Sequence, residues 1–84
     1  MGQWDKLVAD ILKLNKNLRF DDLAKALVKM GYTMSQPGRG GSHHIFRKEG
    51  RPPMTIPRRN PVNKAYIELA AEAVRQYLNE SEDS

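Results

Sequence analysis

Cysteine is absent from this chain, so a disulfide framework, a thiolate zinc site and a cysteine nucleophile are all excluded. No apolar run is long enough to cross a membrane. The N-terminus has neither the apolar stretch of a secretory signal nor the Ser or Thr at position six that a myristoylation pattern needs. A soluble, cytoplasmic protein without a membrane partner is the expectation. Internal repeats and low-complexity segments are also missing, and 84 residues suffice for one domain with one modest core. Folding must then rest on apolar burial.

Acidic residues are scarce in the middle of the chain. Between positions 39 and 59 lie Arg39, Arg47, Lys48, Arg51, Arg58 and Arg59 against Glu49 alone, so this segment holds more positive charge than the whole chain's net +4. A basic stripe of that kind is the electrostatic footprint of a polyanion partner, or a solvated surface that maintains solubility.

Apolar periodicity divides the chain. Trp4, Leu7, Val8, Ile11, Leu12 and Leu14 recur at helical spacing, and "NKN" at positions 15–17 interrupts them. Asp21 and Asp22 offer a cap and first-turn negative charge to a second helix that carries Leu23, Leu27 and Met30 and stops at Gly31. The period then changes to two through "YTMS", "HHIFRK" and "MTIP", with turn-rich segments between them, which predicts three short strands in a meander. Helical spacing returns with Tyr66, Ile67, Ala70, Ala73, Val74 and Tyr77. Asn60 or Asn63 is the expected cap, Pro61 suits a first turn, and the last residues read as a polar, frayed tail. The fold class is α+β, in the order α-α-β-β-β-α, with a three-stranded antiparallel sheet covered by helices on one face and open on the other.

Two histidines, the only ones in the chain, stand side by side at His43 and His44 after the run "GRGGS". Side chains alternate across a strand, so His43, Ile45 and Arg47 share one face while His44, Phe46 and Lys48 share the other. Phe46 is the larger apolar group, and its burial is worth roughly 2–3 kcal/mol. Placing it inward sends His43 and Arg47 to the open face, beside Thr55, and His44 against the helices. A metal pair is disfavoured because adjacent strand residues diverge and no third ligand has suitable spacing; no cofactor is called for. A Ser42–His43 nucleophilic pair fails because the backbone holds the two side chains apart. Arg39, Gly40, Gly41 and Ser42 supply a loop whose backbone amides can approach a phosphate closely.

The run "GYTMSQPGRGGSHHIFRKEGRPPMTIPRRNPVNKAYI", in which "GSHHIF" is followed by "TIPR", resembles the HicA toxin family, small mRNA interferases of toxin–antitoxin modules. The preceding "LRFDDLAKALVKMGY" is similar to the first core helix of that family's double-stranded-RNA-binding-domain-like fold. The resemblance implies a domain over residues 17–79, an N-terminal extension helix within 1–16 and a tail at 80–84. The extension either completes the core or helps to bind a partner.

The resemblance further implies metal-independent endoribonuclease activity on mRNA, a HicB-like antitoxin whose acidic surface would enter the histidine groove, and a histidine after "GS" as the catalytic residue. That position is His43, and His44 is the second candidate. Many members read "PRH" where this chain has Pro57, Arg58 and Arg59, so any supporting role for a second histidine is lost or passes to a guanidinium.

An unperturbed imidazole titrates near pH 6.5 and so can take or give a proton at neutral pH. His43 would act on the 2′-hydroxyl nucleophile or on the 5′-oxygen leaving group. Arg39, Gly41, Ser42, Arg47, Lys48, Arg58 and Arg59 are the candidate RNA contacts, with Arg47 favoured over Lys48 for the reacting phosphate, and Arg51 and Arg58 equally readable as solvated. Tyr32 and the aromatic residues of the helices read as core. Two rivals stand beside the nuclease: a non-catalytic RNA-binding module on the same face, and a helix-turn-helix DNA binder. Asp21 and Asp22 disfavour the second, since they would repel phosphate where a recognition helix should be basic.

Overall fold

The computed structural model describes residues 2–35 and 43–82. Three helices, α1 (Gln3–Leu12), α2 (Phe20–Lys29) and α3 (Lys64–Glu82), combine with strands β1 (Thr33–Ser35), β2 (His43–Arg47) and β3 (Met54–Pro57) in the order α-α-β-β-β-α. The strands form one antiparallel sheet in the order β1-β2-β3. Phe46 sits opposite Met34 on one side and Met54 on the other, and His43 sits opposite Pro57.

Alternation sorts the sheet as the sequence pattern requires. Phe46, Met54, Ile56 and His44 lie buried on the face that meets the helices, while His43, Arg47 and Thr55 are exposed on the other. The core joins Ile11 from α1, Leu23 and Leu27 from α2, and Ile67 and Val74 from α3 to Phe46 and Ile56, all of them fully buried. α1 packs mainly on α3 and secondarily on α2. Trp4 meets Tyr77 edge-to-face at 6.3 Å between ring centroids, and the Lys29 ammonium lies 5.5 Å from the Trp4 ring.

Both N-terminal helices stop by the same two hydrogen bonds. In α2 the Gly31 N–H donates to the Val28 carbonyl and the Tyr32 N–H to the Leu27 carbonyl, with Gly31 at φ +104°. This is a Schellman ending, and glycine suits its left-handed position. In α1 the Leu14 N–H donates to Ile11 and the Asn15 N–H to Asp10, with Leu14 itself at φ +54°. The left-handed residue there carries a side chain that packs against the core, so a leucine ends this helix where a glycine was not available.

Asn60 has a role that the periodicity did not disclose. The α2 start is capped by no side chain of its own: Arg19 is the flanking residue, and Asp21 and Asp22 lie inside the first turn. The Phe20 N–H instead donates to the Asn60 side-chain oxygen at 2.7 Å, forty residues away, and the Val62 N–H donates to the Leu18 carbonyl at 2.9 Å. Asn63 serves α3, accepting from the Ala65 N–H at 3.0 Å, and Pro61 lies before the helix instead of in its first turn. Asn60→Ala is therefore expected to lower stability by about 0.5–2 kcal/mol, the usual cost of a lost N-cap, through a shift in the urea unfolding midpoint.

α3 continues to Glu82, past the point where a frayed tail was expected. Glu80 pairs with Arg51 and approaches Lys48 at 4.0 Å, which ties the last turns of α3 to the β2–β3 connection. Among the described residues, no helix is long and apolar enough to cross a membrane.

Candidate nucleic-acid interface around His43

β2 begins at His43, and its antiparallel pairing with β3 brings Pro57 opposite. The chain leaves β3 there and has only six residues before α3 begins. The two cross-links at Leu18 and Phe20 pin this connection from behind. Arg59 and the first turn of α3 are thereby held beside His43.

The result is a groove of about 570 Å³ lined by His43, Pro57, Arg59, Asn63, Lys64 and Tyr66, among others. Two cationic side chains, an exposed imidazole and a half-buried phenol share one concavity. The start of a 19-residue helix adds partial positive charge to it. Every charged group in that set is a cation, which is the chemistry of a phosphate-binding surface.

The neighbouring histidine goes elsewhere. His44 is 7 % exposed, its Nδ1 has no hydrogen-bond partner among the described residues, and its ring lies 5.1 Å from that of Phe20, tilted by 49°. It contributes to a separate, more apolar groove on the helical side, with Phe20, Asp21, Val28, Met34 and Arg58. Arg58 and Arg59, adjacent in sequence, thus diverge: Arg59 belongs with His43 and Arg58 with His44.

The other basic residues separate as well. Arg47 is exposed on the same face as His43 but four residues further along β2, about 13 Å away at the usual strand rise. The two mark opposite ends of the open face. Lys48 turns to the helical side, with its ammonium 5.7 Å from the Tyr32 ring, 5.3 Å from the Tyr77 ring and 4.0 Å from Glu80. Arg51 is engaged by Glu80. Tyr32 is 6 % exposed, in the core; burial raises its phenol pKa, nearby Arg51 lowers it and Glu80 raises it, for a net upward shift. Arg39, Gly41 and Ser42 lie outside the described residues.

Lys64, Asn63 and Tyr66 line the groove although sequence reasoning did not place them in the site. Lys64 falls beyond the basic stripe, and Tyr66 reads as part of the apolar face of α3. The available signal was topological: a six-residue link from β3 forces the start of α3 to abut the strand end where His43 sits.

A family model described as "HicA toxin of bacterial toxin-antitoxin" matches residues 20–68. The chain belongs to the HicA toxin family. That span runs from the first residue of α2 into the second turn of α3, so it takes in His43, Arg59, Lys64 and Tyr66 and leaves α1 outside. Membership places the chain among the toxins of bacterial toxin–antitoxin systems. Comparison with curated proteins and with solved structures gives no match. Within the HicA-family span, the groove around His43 is where a solvent-facing imidazole meets the cationic side chains of Arg59 and Lys64, whereas His44 is packed beneath α2.

Proposed function

We propose that this HicA-family chain is a metal-independent endoribonuclease that cleaves mRNA, with His43 as the catalytic acid–base residue. The observation that carries the reading is the exposed His43 imidazole in a groove whose charged side chains, Arg59 and Lys64, are both cationic. RNA supplies its own nucleophile. The 2′-oxygen forms a bond to the adjacent phosphorus as the bond from phosphorus to the 5′-oxygen breaks, leaving a 2′,3′-cyclic phosphate and a 5′-hydroxyl. His43 either takes the 2′-hydroxyl proton or gives a proton to the departing 5′-oxygen, and water serves the other transfer. Arg59 and Lys64 stabilise the charge that builds on the phosphorane oxygens.

The antitoxin expected for a family member is a HicB-like protein. An acidic segment of such a partner, laid into the His43 groove, would compete with RNA for Arg59 and Lys64 and keep solvent from the imidazole.

A second reading is a non-catalytic RNA-binding module on the same surface, favoured by the exposed cationic groups alone. A His43→Ala variant separates the two, since only the nuclease reading requires cleavage to fall while RNA binding persists. The electrostatic part has its own test: Arg59→Glu or Lys64→Glu is expected to raise the Kd for single-stranded RNA several-fold and to reduce the slope of log Kd against log salt by roughly 0.7 each. Arg51→Ala, whose partner is Glu80 on the helical side, should leave both quantities unchanged. Equal effects at all three positions would mean that net charge, and not the groove, governs RNA binding.

A further inference from the structure

We infer that the His43 groove contains a nucleobase subsite built on Tyr66, and that the chain therefore acts on unpaired RNA and not on duplex. The inference rests on the nuclease reading for its catalytic consequence, but the subsite itself is a matter of binding. Three observations carry it. First, the groove is a concavity of about 570 Å³, within the 300–1,000 Å³ or so of sites that enclose small organic ligands. A phosphate track along a flat face requires no such volume.

Second, Tyr66 is half-buried, with part of its ring against the core and part of its surface in the groove with His43. A half-buried aromatic side chain that packs on a core and lines a groove can serve as a stacking platform that loses little conformational freedom when it binds a base. Third, Asn63 lies beside it and uses its side-chain oxygen on the Ala65 N–H. The amide's NH2 group is the remaining donor, suited to an acceptor on a base edge.

The consequence for substrate follows from RNA geometry. Bases in an A-form duplex are paired, and their faces are covered by the bases stacked above and below, so none can stack on Tyr66 without leaving the helix. Attack by a 2′-oxygen also requires it to lie in line with the departing 5′-oxygen, an arrangement that the stacked A-form backbone does not provide. A subsite that takes a base out of the stack next to the scissile phosphate brings the backbone toward that alignment. Tyr66 thus acts as a positioning residue, and the proton transfer remains with His43.

The test compares wild type, Tyr66→Phe and Tyr66→Leu on a single-stranded oligoribonucleotide and on the same strand annealed to its complement. Leucine keeps apolar bulk against the core, and thermal melting of each variant checks the fold. The single strand should be cleaved at least tenfold faster than the duplex. Tyr66→Phe should stay near wild type, and Tyr66→Leu should lose about 5- to 160-fold in kcat/KM on the single strand, the range for one lost base stack. Removing the base beside the cleaved bond should bring wild type and Tyr66→Leu to the same rate.

Equal cleavage of duplex and single strand, or a folded Tyr66→Leu variant with wild-type kcat/KM, overturns the subsite. If the wild type cleaves neither RNA, the nuclease reading has failed and equilibrium binding decides the subsite. A weaker Kd for single-stranded RNA in Tyr66→Leu, absent with the abasic strand, upholds it, and an unchanged Kd overturns it.

Discussion

His43→Ala is expected to slow RNA cleavage by about 10²–10⁴-fold, the usual contribution of a positioned acid–base group, with little effect on folding or on the Kd for RNA. His43 is exposed and makes no contribution to the buried core, and substitutions at such surface positions typically change stability by no more than about 0.5 kcal/mol. Loss of cleavage together with loss of binding or folding would return the residue to a structural role; unchanged cleavage would leave the RNA-binding module as the reading.

The pH–rate profile adds a second readout. His44 has its Nδ1 enclosed and its ring against Phe20, so the open face presents one imidazole. Whatever pH dependence the imidazole confers on the rate should be lost in the His43→Ala variant. A rate that climbs with pH assigns His43 to the 2′-hydroxyl proton, and a rate that falls assigns it to the 5′-oxygen. Cell growth and transcript integrity after induced expression of wild type and variant extend the comparison to the toxin role.

How much of this was legible beforehand depends on the range of the interaction. The divergence of His43 and His44 follows from the two-residue period of a strand plus the greater apolar area of Phe46, both local properties. The stop at Gly31 was equally visible, since glycine suits a left-handed residue. The end of α1 was less so, because Leu14 adopts that conformation against its own preference and only the tertiary contact of its side chain explains it. Asn60 could not be assigned from its neighbours at all: its hydrogen-bond partner, the Phe20 N–H, is forty positions away. The basic stripe was legible as a total and not as an arrangement. Within it, Arg59 joins His43, Arg58 joins His44, Arg51 pairs with Glu80 and Lys48 lies over two tyrosines. Which cation serves which face is decided by how β3 hands the chain to α3, and charge counting carries no information about that.

The family match begins at Phe20, yet the buried surface does not stop there. Ile11 is fully buried from α1, and Trp4, Val8 and Leu12 pack on the same core. Ile11→Ala should therefore cost about 2–5 kcal/mol, the range for truncating a buried aliphatic side chain whose cavity cannot fully collapse. A domain of this size has only about 5–15 kcal/mol in total, so thermal unfolding should fall by ~10 °C or more. Were α1 an appendage resting on a self-sufficient domain, the same substitution would shift stability by no more than about 0.5 kcal/mol. Deleting residues 2–12 goes further, because it strips the cover from α2 and α3 together, and the remainder is expected to lose its cooperative unfolding transition. Ile11→Ala and His43→Ala should then fail in opposite ways. Below its lowered melting temperature the Ile11 variant should keep wild-type kcat/KM, since no α1 residue lines the His43 groove, whereas the His43 variant should melt like wild type and cleave poorly. A loss of kcat/KM in a fully folded Ile11→Ala protein would place α1 in the RNA site and remove the distinction between the helix that completes the core and the groove around His43.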